Sequence, residues 1–221
     1  SYYHRAGPMA QVLTSDFGMR AGRVGIVGLG VGALACYRQP GQDWHFYEID
    51  AMVDRLARDP TLFTFMSRCA PDAPTHLGDA RIMLENQQKL QFDILVIDAY
   101  SSDSVPVHLT TREAMALYLD RLAPDGVLLF HISNRYYDIG KTLARSAEAL
   151  GVTLRIQRHQ NDAPGGKDSV VAMITDKTTA VPEFDDDPSW RPRASDGGRV
   201  WTDNYANPLS ILYAWDRSDG H

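Results

Sequence analysis

Val24-Gly25-Ile26-Val27-Gly28-Leu29-Gly30-Val31-Gly32 reads as an apolar strand running straight into a glycine-rich turn. The residues after it, Ala33-Leu34-Ala35-Cys36-Tyr37, suit a helix. A second apolar run, Trp44-His45-Phe46-Tyr47, ends on Glu48, sixteen residues beyond Gly32. Glycine permits a sharp turn and lets the backbone approach a ligand closely, because no Cβ intervenes. An acid that ends the second strand can accept both hydroxyl hydrogens of a ribose. GxGxG alone is a weak signal, met as often in a tight turn that binds nothing, and Glu48 at this spacing shifts the reading to a nucleoside site. The third glycine follows Val31 directly, giving GxGxG instead of GxGxxG, and Pro40-Gly41 ends the following helix early. Both features fit an S-adenosylmethionine-type cofactor better than a nicotinamide dinucleotide.

Strands and helices alternate along the rest of the chain. Strands are expected at 23–27, 44–48, 75–77, 92–98, 127–132, 152–156 and 169–175. Phe92-Asp93-Ile94-Leu95-Val96-Ile97-Asp98 is apolar on both faces, as a central parallel strand should be. Helices are expected at 51–58, 81–87, from a Thr110 or Thr111 cap to 122, and at 138–150 up to Gly151. The order predicts an α/β fold, a doubly wound, mostly parallel seven-stranded sheet of the S-adenosylmethionine-dependent methyltransferase (Rossmann-like) type. In such sheets ligands sit beyond the carboxyl ends of the strands. Gly28 to Gly32, Glu48, Gly78-Asp79 and Asp98 to Asp103 all follow strand ends. Residues 23–176 form the expected nucleoside-binding core, 1–22 a segment that contacts substrate and cofactor, and 177–221 a tail packing on the core.

With 221 residues the chain is long enough for one well-buried domain. A net charge of -6 argues against a general nucleic-acid binder and suits a cationic substrate. Cys36 and Cys69 lack metal-ligand spacing and read as unpaired, buried small residues in a reducing compartment. No apolar run reaches membrane-spanning length and no signal peptide is visible, which points to the cytoplasm, or to the cytoplasmic face of a membrane-anchored protein. The abrupt start at Ser1-Tyr2-Tyr3-His4 reads as the interior of a longer gene product.

With these pieces in place, the chain resembles the spermidine/spermine synthase (polyamine aminopropyltransferase) family. Within that family it is most similar to the spermidine-synthase-like domain often fused behind bacterial membrane helices. The most telling segments are Val24 to Gly30, Phe46-Tyr47-Glu48-Ile49-Asp50, Gly78-Asp79-Ala80-Arg81 and Phe92 to Asp103. The resemblance implies transfer of an aminopropyl-type group from S-adenosylmethionine, or its decarboxylated form, to a small-molecule amine, with no metal and no nucleic acid. It also implies a membrane segment upstream and allows a homodimer.

By the same resemblance Glu48 holds the ribose, Asp79 contacts the adenine amino group with Ala80 beside it, and Gly28, Gly30, Gly32 and His4 line the cofactor. Asp98 takes a proton from the attacking amine, which Tyr3 helps to hold. Read from the residues themselves, Tyr100 and Ser101 are candidate substrate contacts, Asp103 is either a substrate contact or a solvated loop charge, and Asp203, flanked by Trp201 and Tyr205, either swings its carboxylate over the pocket or sits in a turn before the final apolar segment. Three positions depart from the family pattern. Val31 and Ser101 stand where the family carries acids, and Arg5 stands where it carries glutamate. Arg5 could grip the carboxylate of an intact donor with two parallel hydrogen bonds.

The chemistry is consistent with these roles. Attack by a neutral amine on a carbon beside sulfonium needs a base for the ammonium and acids or aromatics to hold a cation. Methyl transfer from the same donor is the rival activity, and a non-catalytic nucleoside-sensing domain of a membrane protein is the alternative of another class. Among the remaining residues, His45 and His131 lie in apolar strands and read as core or strand-edge residues. His108 is a candidate to face the site, and Asp50 reads as a helix cap. Asp185-Asp186-Asp187 reads as a solvated loop.

Overall fold

The computed structural model describes residues 4–99, 105–161, 168–179 and 181–213. Two short helices, α1 (Pro8–Thr14) and α2 (Asp16–Arg20), precede β1 (Arg23–Val27). A 3-10 turn at Ala33–Tyr37 leads to β2 (Asp43–Glu48), α3 (Ala51–Arg58), α4 (Phe65–Cys69), β3 (Thr75–Leu77) and α5 (Ala80–Asn86). Then come β4 (Phe92–Ile97), α6 (Arg112–Asp120), β5 (Leu122–His131), α7 (Ile139–Leu150), β6 (Thr153–His159) and β7 (Ser169–Thr175). The chain continues through α8 (Pro182–Asp185) and β8 (Arg191–Pro192).

The strands form one sheet in the order β3-β2-β1-β4-β5-β7-β6-β8. β3 to β5 pair in parallel, whereas β7 runs antiparallel to both β5 and β6, and β8 antiparallel to β6. The fold is therefore α/β and mostly parallel, as expected, but the sheet has eight strands and not seven. The additional strand is two residues long and contains Pro192, so it carries no alternation to read and sits where proline is tolerated, at an edge.

Both faces of the sheet are covered because the central strands alternate two apolar sets. Ile94 and Val96 of β4 and Val127 and Leu129 of β5 pack with Met9, Val12 and Leu13 of α1, Met66 of α4, and Phe184 and Trp190. Leu95, Ile97, Leu128 and Phe130 pack on the other face with Leu84 of α5, Met115 and Tyr118 of α6, Leu143 of α7, and Trp201 and Ile211. Each of these central aliphatic side chains is essentially inaccessible and contributes about 1.5–3 kcal/mol by leaving water. Both end segments thus belong to the packing. Gln11 donates to Asp187 at 2.7 Å and accepts from the Trp190 indole at 3.2 Å, tying α1 to the segment after α8.

The cysteines depart from expectation. Cys36, in the 3-10 turn after the glycines, and Cys69, at the end of α4, form a disulfide with their Cα atoms 4.8 Å apart. Cys36 is exposed and Cys69 half-buried, so neither is a core thiol. The ground for expecting a reducing compartment, unpaired cysteines, is removed with them. Among the described residues no helix is long and apolar enough to cross a membrane.

Thiol titration of the unfolded protein should find no free thiol before reduction and two after it. For a loop closed over 33 residues, reduction should lower the urea unfolding free energy by about 3–4 kcal/mol on chain-entropy grounds. Two free thiols in the untreated protein would contradict the pairing.

Candidate active site

The carboxyl ends of the parallel strands are laced together by their backbones. Gly28 N–H donates to Tyr47 O at 2.8 Å, Gly78 N–H to Glu48 O at 2.9 Å, and Asp98 N–H to Val27 O at 2.7 Å. This ladder brings the glycine turn, Glu48, Asp79 and Asp98 to one edge of the sheet. The glycines are required there. Gly28 has φ +95°, and a Cβ on it would overlap the backbone of Asp98 and Ala99. Gly32 has φ +78°, and a Cβ there would lie 2.6 Å from Met66 Cγ of α4.

Glu48 is 9% exposed, and its two oxygens are held apart. Oε2 accepts from Leu29 N–H in the glycine turn at 3.0 Å, and Oε1 accepts from Asp50 N–H at 3.0 Å. One backbone donor per oxygen leaves each with a further lone pair for a hydroxyl. Asp50 caps α3 through Met52 N–H at 2.7 Å, as its position suggested. Asp79 caps α5 with Oδ1, which accepts from Arg81 N–H at 2.8 Å and Ile82 N–H at 3.3 Å. Ala80 is buried behind it. Ile49, between Glu48 and Asp50, is 70% exposed, an apolar side chain left open beside the polar cradle.

Asp98 is nearly inaccessible and paired. Its Oδ1 lies 2.8 Å from Nδ1 of His131, the last residue of β5, and both side chains are 7% exposed. His131 Nε2 lies 2.8 Å from Ser133 Oγ, which in turn accepts from Val170 N–H at 2.8 Å. Sequence reading assigned His131 to the core. It is buried, but its ring abuts the acid expected to act as base, a pairing that spans 33 residues and leaves no local signature.

Other expected residues lie elsewhere. His4 is exposed and stacks on His159 with ring centroids 6.0 Å apart. His159 ends β6, the fourth strand along from β1 in the sheet, so His4 does not join the glycine turn. The reason is the docking of α1 through Met9, Val12 and Leu13. Arg5 is exposed, and its charge reaches Tyr37, where it partly offsets the rise in phenol pKa caused by burial.

Asp203 does not swing as an unpaired carboxylate. Arg81 grips it with two 2.8 Å hydrogen bonds, and Thr111 Oγ1 donates to it at 2.7 Å. Its pKa is lowered, chiefly by the Arg81 hydrogen bonds. This clamp lines a cavity of about 530 Å³ together with His108, Asn204 and Tyr205. Arg81 also donates to His108 O at 2.9 Å. Tyr3, Tyr100, Ser101 and Asp103 lie outside the described residues.

No family model matches the chain. It is 26% identical over 166 residues to a polyamine aminopropyltransferase of Vibrio vulnificus (strain CMCP6), across 72% of this chain and 52% of that protein. It spans about half the length of the curated relative it matches. Among solved structures it is similar to a probable spermidine synthase from Corynebacterium glutamicum ATCC 13032, with TM-score 0.60 and 16% identity over 90% of this chain and 77% of that one. It is also similar to human methyltransferase-like protein 13 in complex with SAH, with TM-score 0.63 and 17% identity over 83% and 87%. At these identities the solved structures speak for the fold.

Gly28→Ala should destabilise the chain by about 2 kcal/mol or more, because backbone strain and overlap with Asp98 add. Gly30→Ala should cost only about 1 kcal/mol, since φ is +53° but a Cβ meets nothing within 4 Å. Urea unfolding of the two variants checks the difference, and equal losses would mean that the close approach at Gly28 does not matter.

Proposed function

We propose that this chain is the nucleoside-binding and catalytic part of a transferase that moves an aminopropyl-type group from S-adenosylmethionine, or its decarboxylated form, to a small-molecule amine. The observation that carries the reading is the buried Asp98 carboxylate at the end of β4, one residue beyond the strand that flanks the glycine turn. The 26% identical aminopropyltransferase supports the same chemistry.

The residues at the strand ends fit an adenosyl group. Glu48, with a spare lone pair on each oxygen, suits the ribose hydroxyls. Exposed Ile49 offers an apolar face to a base, and Asp79 reaches its edge. The donor supplies a carbon made electrophilic by its sulfonium. Asp98 accepts the proton of the acceptor ammonium, and the freed nitrogen lone pair attacks that carbon. The carbon–sulfur bond breaks, and its electron pair leaves on sulfur as a neutral thioether. In this reading residues 23–176 bind the nucleoside, while 1–22 and 177–221 shape the acceptor side, with Tyr3, Tyr100, Ser101 and Asp103 toward the amine.

Methyl transfer from intact S-adenosylmethionine is the second reading. It is favoured by Val31, 39% exposed, where an acid would hold the amine of an aminopropyl donor. The products separate the two, since aminopropyl transfer leaves 5′-methylthioadenosine and methyl transfer leaves S-adenosylhomocysteine. Incubation with both donors and a panel of di- and triamines, followed by mass spectrometry, should give 5′-methylthioadenosine. Asp98→Asn should lower kcat by about a hundredfold or more and leave donor affinity within threefold. Full activity of that variant removes Asp98 from the base role.

Donor affinity gives an independent check on the nucleoside site. Glu48→Gln should weaken donor binding by about 1–3 kcal/mol in titration calorimetry, because charge-assisted acceptance from hydroxyls is lost. Unchanged affinity would place the ribose elsewhere.

A further inference from the structure

The Asp98–His131–Ser133 chain does more than satisfy buried polar groups. Its end is anchored by a donor whose direction is fixed. Val170 N–H has one hydrogen and gives it to Ser133 Oγ at 2.8 Å. The Ser133 hydroxyl hydrogen is then available to His131 Nε2, 2.8 Å away. With Nε2 accepting, the ring hydrogen of neutral His131 sits on Nδ1, aimed at Asp98 Oδ1 at 2.8 Å. Val170 is on β7 and His131 on β5, and the two strands are paired with His131 opposite Val171. An ionised Asp98 can only accept, which puts the hydrogen of a neutral His131 on Nδ1, and the Val170 amide on the neighbouring antiparallel strand leaves the Ser133 hydroxyl able to donate to Nε2.

We propose that His131 is the positioning residue for Asp98, orienting the carboxylate through Nδ1–H, with the Ser133 hydroxyl, held by the Val170 amide, placed to donate to Nε2. The proposal rests on the transferase reading for the role of Asp98. It assigns His131 a definite limit as well. Nδ1 already carries a hydrogen, so the ring is not the proton's destination. The proton from the acceptor ammonium stays on the Asp98 carboxyl until it leaves to solvent with turnover. His131 fixes where that carboxyl points.

Two arms test this. The first needs no turnover: nitrogen-15 NMR of the histidine side chains at about pH 8, above the ordinary histidine range, with the His131 signals assigned by their loss in a variant. Nδ1 protonated and Nε2 bare is the expected result, and Ser133→Ala should shift the Nε2 resonance most. A ring protonated on Nε2 alone overturns the proposal. The second arm compares His131→Asn with His131→Gln. The Asn amide reaches the place of Nδ1 and can donate to Asp98, whereas the Gln amide reaches the place of Nε2 and cannot. H131Q should lose at least about thirtyfold in kcat with donor affinity and acceptor KM each within about threefold, and H131N should recover most of that loss. Equal kcat for the two variants, at melting temperatures close to the parent's, overturns the positioning role. Absence of any transfer product from the parent enzyme overturns the transferase reading itself, and the NMR arm still reports on the tautomer.

Discussion

Everything at the carboxyl edge depends on one close approach, that of the glycine turn to the end of β4. Gly28 has no side chain, so the Asp98 backbone passes directly over it, and the Asp98 N–H closes a 2.7 Å bond to Val27 O. A side chain at position 28 would separate β1 from β4 where the ligand-facing acids begin. The same turn sends Leu29 N–H into the Glu48 carboxylate, so one backbone path orients acids on two strands. The Cys36–Cys69 disulfide and the Gly32–Met66 contact hold α4 against the far side of that turn. The turn is fixed from both sides before any ligand arrives.

The parallel half of the sheet was legible because its signals are local. A strand apolar on both faces, a glycine turn and an acid at the right spacing occupy fewer than thirty consecutive residues at 24–48. Asp50 and Thr111 were legible for the same reason, since a cap bonds within three residues of itself. What escaped is non-local. α1 is a seven-residue helix whose apolar positions gain meaning only against β6, β7 and Trp190. The Arg81–Asp203 clamp joins residues 122 apart, and the disulfide joins residues 33 apart. No spacing rule relates such partners, and the sheet alone brings them together.

The strand histidines make the point sharply. His45 and His131 sit in equally apolar runs and look alike as sequence. His45 Nδ1 meets His76 Nε2 at 2.9 Å, and His76 Nδ1 meets Gln87 Nε2 at 3.1 Å, while Tyr47 donates to Gln87 Oε1 at 2.6 Å. With Gln87 donating, His76 donates in turn to His45, whose Nε2 lies 3.1 Å from Asp43 Oδ1. Burial and the neighbouring ring lower the pKa of His76. That chain ends on the half-exposed Asp43 at the amino end of β2, away from the glycine turn. The His131 chain ends on Asp98, at the carboxyl edge. Identical sequence signals acquire different meanings from the end of the strand on which they fall.

The acids at the carboxyl edge share a further property. Each is already held by donors from the protein: Glu48 by two backbone N–H groups, Asp79 by the first turn of α5, Asp98 by His131, and Asp203 by Arg81 and Thr111. An acid held this way cannot rotate to meet a ligand, so the ligand must fit the acid. Asp203 takes a bidentate guanidinium and a hydroxyl and works as a clamp between α5, α6 and the segment after Trp201. For Glu48 and Asp79 the holding leaves lone pairs over, and both face the edge where the strands end. The contrast between Asp203 and the pair Glu48 and Asp79 follows from what holds each one, a side-chain clamp or backbone N–H groups, and the fold sets those partners.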